Sequence, residues 1–128
     1  MHKKYIAIGA VLAAIAVALG AFGAHGLKKI VSAETVQIFQ TGVQYQMYHA
    51  LALILTGFLY EKFSPRLVKT GGILFLIGII LFSGSLYLLT AGKAAEDAGF
   101  DKVGIITPVG GLAFIGGWLL LFVAAIKK

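Results

Sequence analysis

The chain has 128 residues, 59% of them hydrophobic and 12% charged, about half the charged fraction of an ordinary soluble domain. So short a chain cannot enclose that much apolar surface in a water-facing globule, which leaves an integral membrane protein. The formal charge of +6 is scattered in ones, twos and threes between neutral stretches, which gives no basic face for nucleic acid, and the lack of cysteine removes disulfides, thiolate metal sites and cysteine nucleophiles.

Crossing the hydrocarbon as a helix takes roughly 20 mostly apolar residues, and four stretches qualify: residues 5–24, 43–60, 70–91 and 103–126. The predicted fold is all-α, a single integral membrane domain over 1–128 built as a four-transmembrane-helix bundle. The first run follows Lys3 and Lys4 and precedes Ala21 and Gly23, an arrangement shared with secretory signals. It is longer than the usual 7–15 residue signal core, and its spaced small residues Gly9, Ala13, Ala16 and Gly20 suit a retained, packed helix.

Before the second span the pattern is amphipathic. Ser32 can cap a helix with Glu34 in its first turn, after which Val36, Phe39, Val43, Met47 and Ala50 form one apolar stripe. Gln37, Thr41, Gly42, Gln44, Tyr45, Gln46, Tyr48 and His49 fall on the opposing arc. The spacing predicts a helix over about 33–60 that either lies partly in the headgroups before diving or bends at Gly42. In both cases the polar arc must avoid lipid. Within it, Tyr45 and His49 are four apart and Gln46 and His49 three apart, so each pair can meet on one face.

In the third span Gly71, Gly78, Ser85 and Gly92 recur every seven residues, with Leu74, Leu81 and Leu88 three positions after the first three. That small-plus-leucine seam marks a face that touches another helix. The fourth span offers Gly110, Gly111, Ala113, Gly116 and Gly117 for close packing. Pro108 removes a bond to the carbonyl of Gly104 and predicts a kink, with Thr107 beside it to satisfy a freed carbonyl. Trp118 and Tyr5 read as interfacial anchors.

Four spans put both termini on one side with the 61–69 connection. That side carries Lys3, Lys4, Lys62, Arg66, Lys69, Lys127 and Lys128, seven basic residues, against four on the other, Lys28, Lys29, Lys93 and Lys102. The positive-inside rule therefore makes both termini cytoplasmic. With that orientation the polar residues within or at the ends of spans collect in the outer half: His25, Gln44, Tyr45, Gln46, Tyr48, His49, Ser83, Ser85, Tyr87 and Thr107. An ionisable residue at membrane depth is a functional hypothesis by default. His49 can serve as an interhelical hydrogen-bond anchor, a pocket lining or a metal or haem ligand, and His25 as a helix-end cap or the other ligand of a bis-histidine pair. No carboxylate stands inside a span to complete a helical metal site and no catalytic Ser/His/Asp or paired-carboxylate set is present, so neither metal nor cofactor nor catalysis is expected.

The runs GAFGAHGL at 20–27, TGVQYQMYHAL at 41–51, FSGSLY at 82–87, ITPVGG at 106–111 and Gly117–Trp118 resemble the YwdK/YgdD-like small integral membrane proteins, a family of unknown function. The resemblance covers almost the whole chain and implies a multi-pass protein of the bacterial plasma membrane, with no activity or catalytic residue to transfer. The preferred function is noncatalytic binding of a lipid or membrane partner through the outer polar cluster. The alternative is a small oligomeric transporter or channel-like protein. The implied partners are the bilayer and either a second copy or another membrane protein.

Overall fold

The computed structural model describes residues 1–127; Lys128, counted above among the basic residues of the terminal side, lies outside them. The described chain is helical, with no strand. Four long helices carry it: α1 (Lys3–Ala24), α2 (Ala33–Leu59), α3 (Pro65–Ala94) and α4 (Ile106–Ile126). Short 3-10 segments, Leu27–Lys29 and Ala98–Ile105, lie in the connections at one end. The turn from α2 to α3 lies at the other end, where α1 begins and α4 finishes.

Helix boundaries follow local chemistry. The Ser32 hydroxyl accepts from the Thr35 N–H at 3.2 Å and starts α2, while Pro65, at the first position of α3, gives up an N–H that has no helical acceptor there. The 27 residues of α2 form one unbroken helix, about 40 Å long at 1.5 Å per residue, and the helix is not interrupted at Gly42. That glycine admits a neighbouring helix instead: a Cβ there would lie 2.9 Å from the Tyr87 ring, and its carbonyl accepts the Ser83 hydroxyl at 2.6 Å.

Three helical stretches, Lys3–Lys29, Pro65–Ala94 and Ala98–Ile126, are long and apolar enough to cross a membrane. The second predicted span falls short of that hydropathy although α2 has ample length. The polar residues between Gln37 and His49 lower its average.

Pro108 is also placed differently from the expectation. The α-helical part of α4 begins at Ile106, directly continuous with the 3-10 segment Ala98–Ile105, so Pro108 stands just after the change from 3-10 to α geometry, where its ring leaves a carbonyl of the preceding turn without an amide donor. Thr107 bonds across to Ser85 rather than to a freed carbonyl. Because the 3-10-to-α change already accommodates the proline ring, Pro108→Ala should change the stability of the detergent-solubilised protein by less than about 1 kcal/mol, mostly through the unfolded chain. A loss of about 3 kcal/mol or more in denaturant titration would contradict this placement.

In lipid the tails are as apolar as leucine, so packing closeness holds helices together. Gly9, Ala16 and Gly23 lie buried along α1 against α2: a Cβ on Gly9 would stand 2.7 Å from the Ala50 carbonyl oxygen, and one on Gly23 2.7 Å from the Gln40 amide. The heptad small residues of α3 meet the chain beyond it. Gly71 faces the Gly117 carbonyl, Gly78 the Phe114 ring and Gly92 the Phe100 side chain, while Ser85 pairs with Thr107. Gly110 is pressed on the backbone of Phe82, whereas a Cβ on Gly111 would make only an ordinary 3.9 Å contact. Val68, Phe75, Ile79, Phe114, Leu121, Ala124 and Ala52 form the core between α2, α3 and α4.

Two details were not foreseen. Residues Ile79–Ser83 form a π-helical turn within α3, closed by the Gly84 N–H on the Ile79 carbonyl. And Tyr5 is no interfacial anchor: it is buried, stacked on His2 at 3.8 Å, and its hydroxyl donates to the Lys69 carbonyl at 2.6 Å. Together with the ion pair between the Met1 amino group and Glu61, it ties the start of α1 to the neighbourhood of the α2–α3 turn.

Candidate functional site

The polar residues of α2 divide between two faces. Gln46 is 3% exposed. Its amide nitrogen donates to the Leu12 carbonyl on α1 at 2.8 Å, and its amide oxygen accepts the Tyr87 hydroxyl from α3 at 2.6 Å. One side chain thus joins three helices. About one turn along α2 lies the Ser83 to Gly42 bond, and nearer the connection to α1 the Gln40 amide donates to the Gly20 carbonyl at 3.2 Å.

His49, three residues after Gln46, joins α2 to α4. Its Nε2 accepts the Trp118 indole N–H at 3.0 Å, so the proton is on Nδ1, which donates to the Tyr45 carbonyl at 2.8 Å. The imidazole is 4% exposed and stacks on Phe114 with ring centroids 3.5 Å apart and planes 11° off parallel. Phe75 and Trp118 close around it. Both ring nitrogens are therefore engaged, and no buried side-chain nitrogen or oxygen among the described residues lacks a partner.

This geometry limits the chemistry. Among the described residues no three His, Cys, Asp or Glu groups approach closely enough to hold a metal. His49 is level with the Gly9 region of α1, where Gly9 meets the carbonyl of Ala50, whereas His25 lies sixteen residues farther on, about 24 Å at 1.5 Å per residue. The two cannot share a haem iron. The buried part of the cluster is a neutral, saturated hydrogen-bond lock among four helices.

The family described as a protein of unknown function (DUF423) matches residues 19–111. The UPF0382 membrane protein YwdK of Bacillus subtilis is 48% identical over 126 residues, 98% of each chain. The chain belongs to this family. A UPF0382 membrane protein of Staphylococcus haemolyticus is 41% identical over 125 residues, covering 98% of this chain and 97% of its own. The UPF0382 inner membrane protein YgdD of Escherichia coli is 36% identical over 128 residues, covering 99% and 93%. No solved structure matches the chain. The protein is thus a helical member of a membrane protein family of unknown function, and the lock residues Gln46, His49, Ser83, Tyr87 and Thr107 all lie within the motifs that carry the resemblance.

The structure engages Gln46, His49, Ser83, Ser85, Tyr87 and Thr107 between helices: Gln46 with Tyr87, Ser83 with the Gly42 carbonyl, Ser85 with Thr107, and His49 with Trp118. It does not bring in the others. His25 is exposed beyond the end of α1, with only its backbone N–H bonded, to the Phe22 carbonyl. Gln44 and Tyr48 are exposed and make no side-chain hydrogen bond among the described residues, and Tyr45 joins only through its carbonyl, which accepts from His49, with its ring on Phe82.

Leu12, the partner of Gln46, is tenth of 22 residues in α1, and Trp118 is thirteenth of 21 in α4, so the groups that the cluster bonds to lie near the middle of those helices. Trp118, 44% exposed, donates its indole N–H to His49. Its i, i+4 spacing from Phe114 was the available signal. The Leu12 carbonyl left none, because a backbone acceptor is the same at every residue.

Proposed function

We propose that the protein is a four-span membrane protein of the bacterial plasma membrane with both termini cytoplasmic, α2 being the fourth crossing, and that it acts without catalysis by binding a membrane partner through the outward face of α2. The seven-to-four distribution of basic residues supports the orientation, and the printed name of the Escherichia coli relative supports the membrane. For α2 as a crossing, the support is that Gln46, His49 and Thr56 are buried and bonded within the chain, so they need not meet acyl tails.

One observation carries the binding reading. Gln44 and Tyr48 are exposed on α2, about 22 Å and 16 Å along the helix from Leu59, within the thickness of a hydrocarbon layer of about 30 Å. An amide left there without a partner costs several kcal/mol. The saturated interior offers no comparable vacancy, and this is why neither a solute pathway nor a ligand pocket inside the chain is preferred.

A photoreactive benzophenone side chain at position 44, compared with one at position 112 on the exposed apolar surface of α4, tests the reading in native membranes. Leu112 is 68% exposed. A discrete adduct at 44 and diffuse lipid labelling at 112 are expected; diffuse lipid labelling at both would contradict it.

A further inference from the structure

Resting on that binding face, we propose that its occupant is a second copy of this chain, paired through parallel α2 helices about a two-fold axis normal to the membrane. Gln37, Thr41, Gln44, Tyr48, Leu51, Leu55 and Phe58 follow one another at alternating spacings of four and three. That is the a/d pattern of a left-handed two-helix seam. All are exposed or partly exposed, on the side of α2 away from the buried Gln46, His49 and Leu53. The intramolecular contacts of α2 therefore leave a complete coiled-coil stripe uncovered, six turns from end to end.

The stripe is polar over Gln37–Tyr48 and apolar over Leu51–Phe58, and no charged residue stands in it. Two copies inserted in the same direction present equal levels to each other, so amide meets amide and leucine meets leucine. A primary amide carries both donor and acceptor, which makes Gln44 complementary to itself across a two-fold axis, and the hydroxyls of Thr41 and Tyr48 share that property. Symmetric dimers with such isologous contacts are the commonest oligomers. A lipid satisfies the stripe poorly, because at the depth of Gln44 and Tyr48 it presents methylene groups rather than esters or phosphates.

The absence of cysteine makes the test direct. Gln44→Cys and Leu51→Cys, each as the sole cysteine, are oxidised with copper phenanthroline in native membranes, beside Ile80→Cys and Leu112→Cys, both 68% exposed on other helices. Cross-linked dimer is expected at 44 and 51 and not at 80 or 112. Adding Gln44→Leu to the Leu51→Cys chain should lower the dimerisation constant about 3-fold, the average worth of a single interhelical hydrogen bond in a bilayer, and at most about 18-fold, the largest measured.

Equal yields at all four positions would overturn the proposal as random collision, and an unchanged yield after Gln44→Leu would overturn the part assigned to the amides. No dimer at 44 or 51, together with a discrete photo-adduct of a different protein at 44, would overturn the second copy while leaving the binding face. Diffuse lipid labelling at 44 would overturn both.

Discussion

Gly110→Val is expected to destabilise the protein by about 2–3 kcal/mol, the upper part of the range for overpacking a tight contact. A Cβ at Gly110 would fall on the backbone nitrogen and Cα of Phe82, atoms that cannot rotate aside. Relief requires α4 to move from α3, which would draw Phe114 from the face of His49 and the Trp118 indole from its acceptor. The neighbouring Gly111→Val serves as the control, since a Cβ there stands 3.9 Å from the Phe82 ring and the cost should stay below about 0.5 kcal/mol. Reversible unfolding in mixed micelles measures both. Equal losses would mean that helix propensity, rather than close approach of α3 and α4, governs this part of the chain.

Gln46→Leu should cost about 2 kcal/mol, because it removes the bonds to α1 and α3 and leaves the Tyr87 hydroxyl without its acceptor. Tyr87→Phe alone should cost about 1 kcal/mol. The double variant should lose less than the sum, with a coupling energy of about 0.6 kcal/mol, the average for interhelical hydrogen bonds in membranes, and no more than about 1.7 kcal/mol, the largest measured. Strict additivity would show that the two side chains contribute by packing alone. Either outcome is read from the same unfolding assay.

Much of the helical layout was legible in the sequence because hydropathy and turn chemistry act locally. Ser32, Pro65 and the alternation of uncharged runs with lysine-bearing turns define the four helices. The seven-residue spacing of Gly71, Gly78, Ser85 and Gly92 identifies the side of α3 that meets α4 and the segment before it, since small residues matter only where another backbone approaches. What the spacing left open was the direction of each polar group on α2. A single arc from Gln37 to His49 became two faces, with Gln46 and His49 inside and Gln44 and Tyr48 outside.

That division is set by contacts distant in sequence. The Leu12 carbonyl receives Gln46 across 34 residues and Trp118 reaches His49 across 69. Local periodicity contains no record of the Leu12 acceptor, and the Phe114–Trp118 spacing marks a shared face without naming His49. The π turn at Ile79–Ser83 was likewise illegible, for its sequence differs little from the apolar helix around it. Pro108 was read as lying inside a uniform span, whereas it stands where the 3-10 segment Ala98–Ile105 gives way to the α-helix from Ile106.

Whether α2 crosses the bilayer is measured most directly by labelling single cysteines at its two ends. Ile30→Cys and Lys62→Cys, each in the otherwise cysteine-free chain, are treated on intact cells with a membrane-impermeant maleimide, before and after permeabilisation. Position 30 should react in intact cells and position 62 only after permeabilisation. Reaction of both positions under the same condition would place the two ends of α2 on one face and contradict the four-span account.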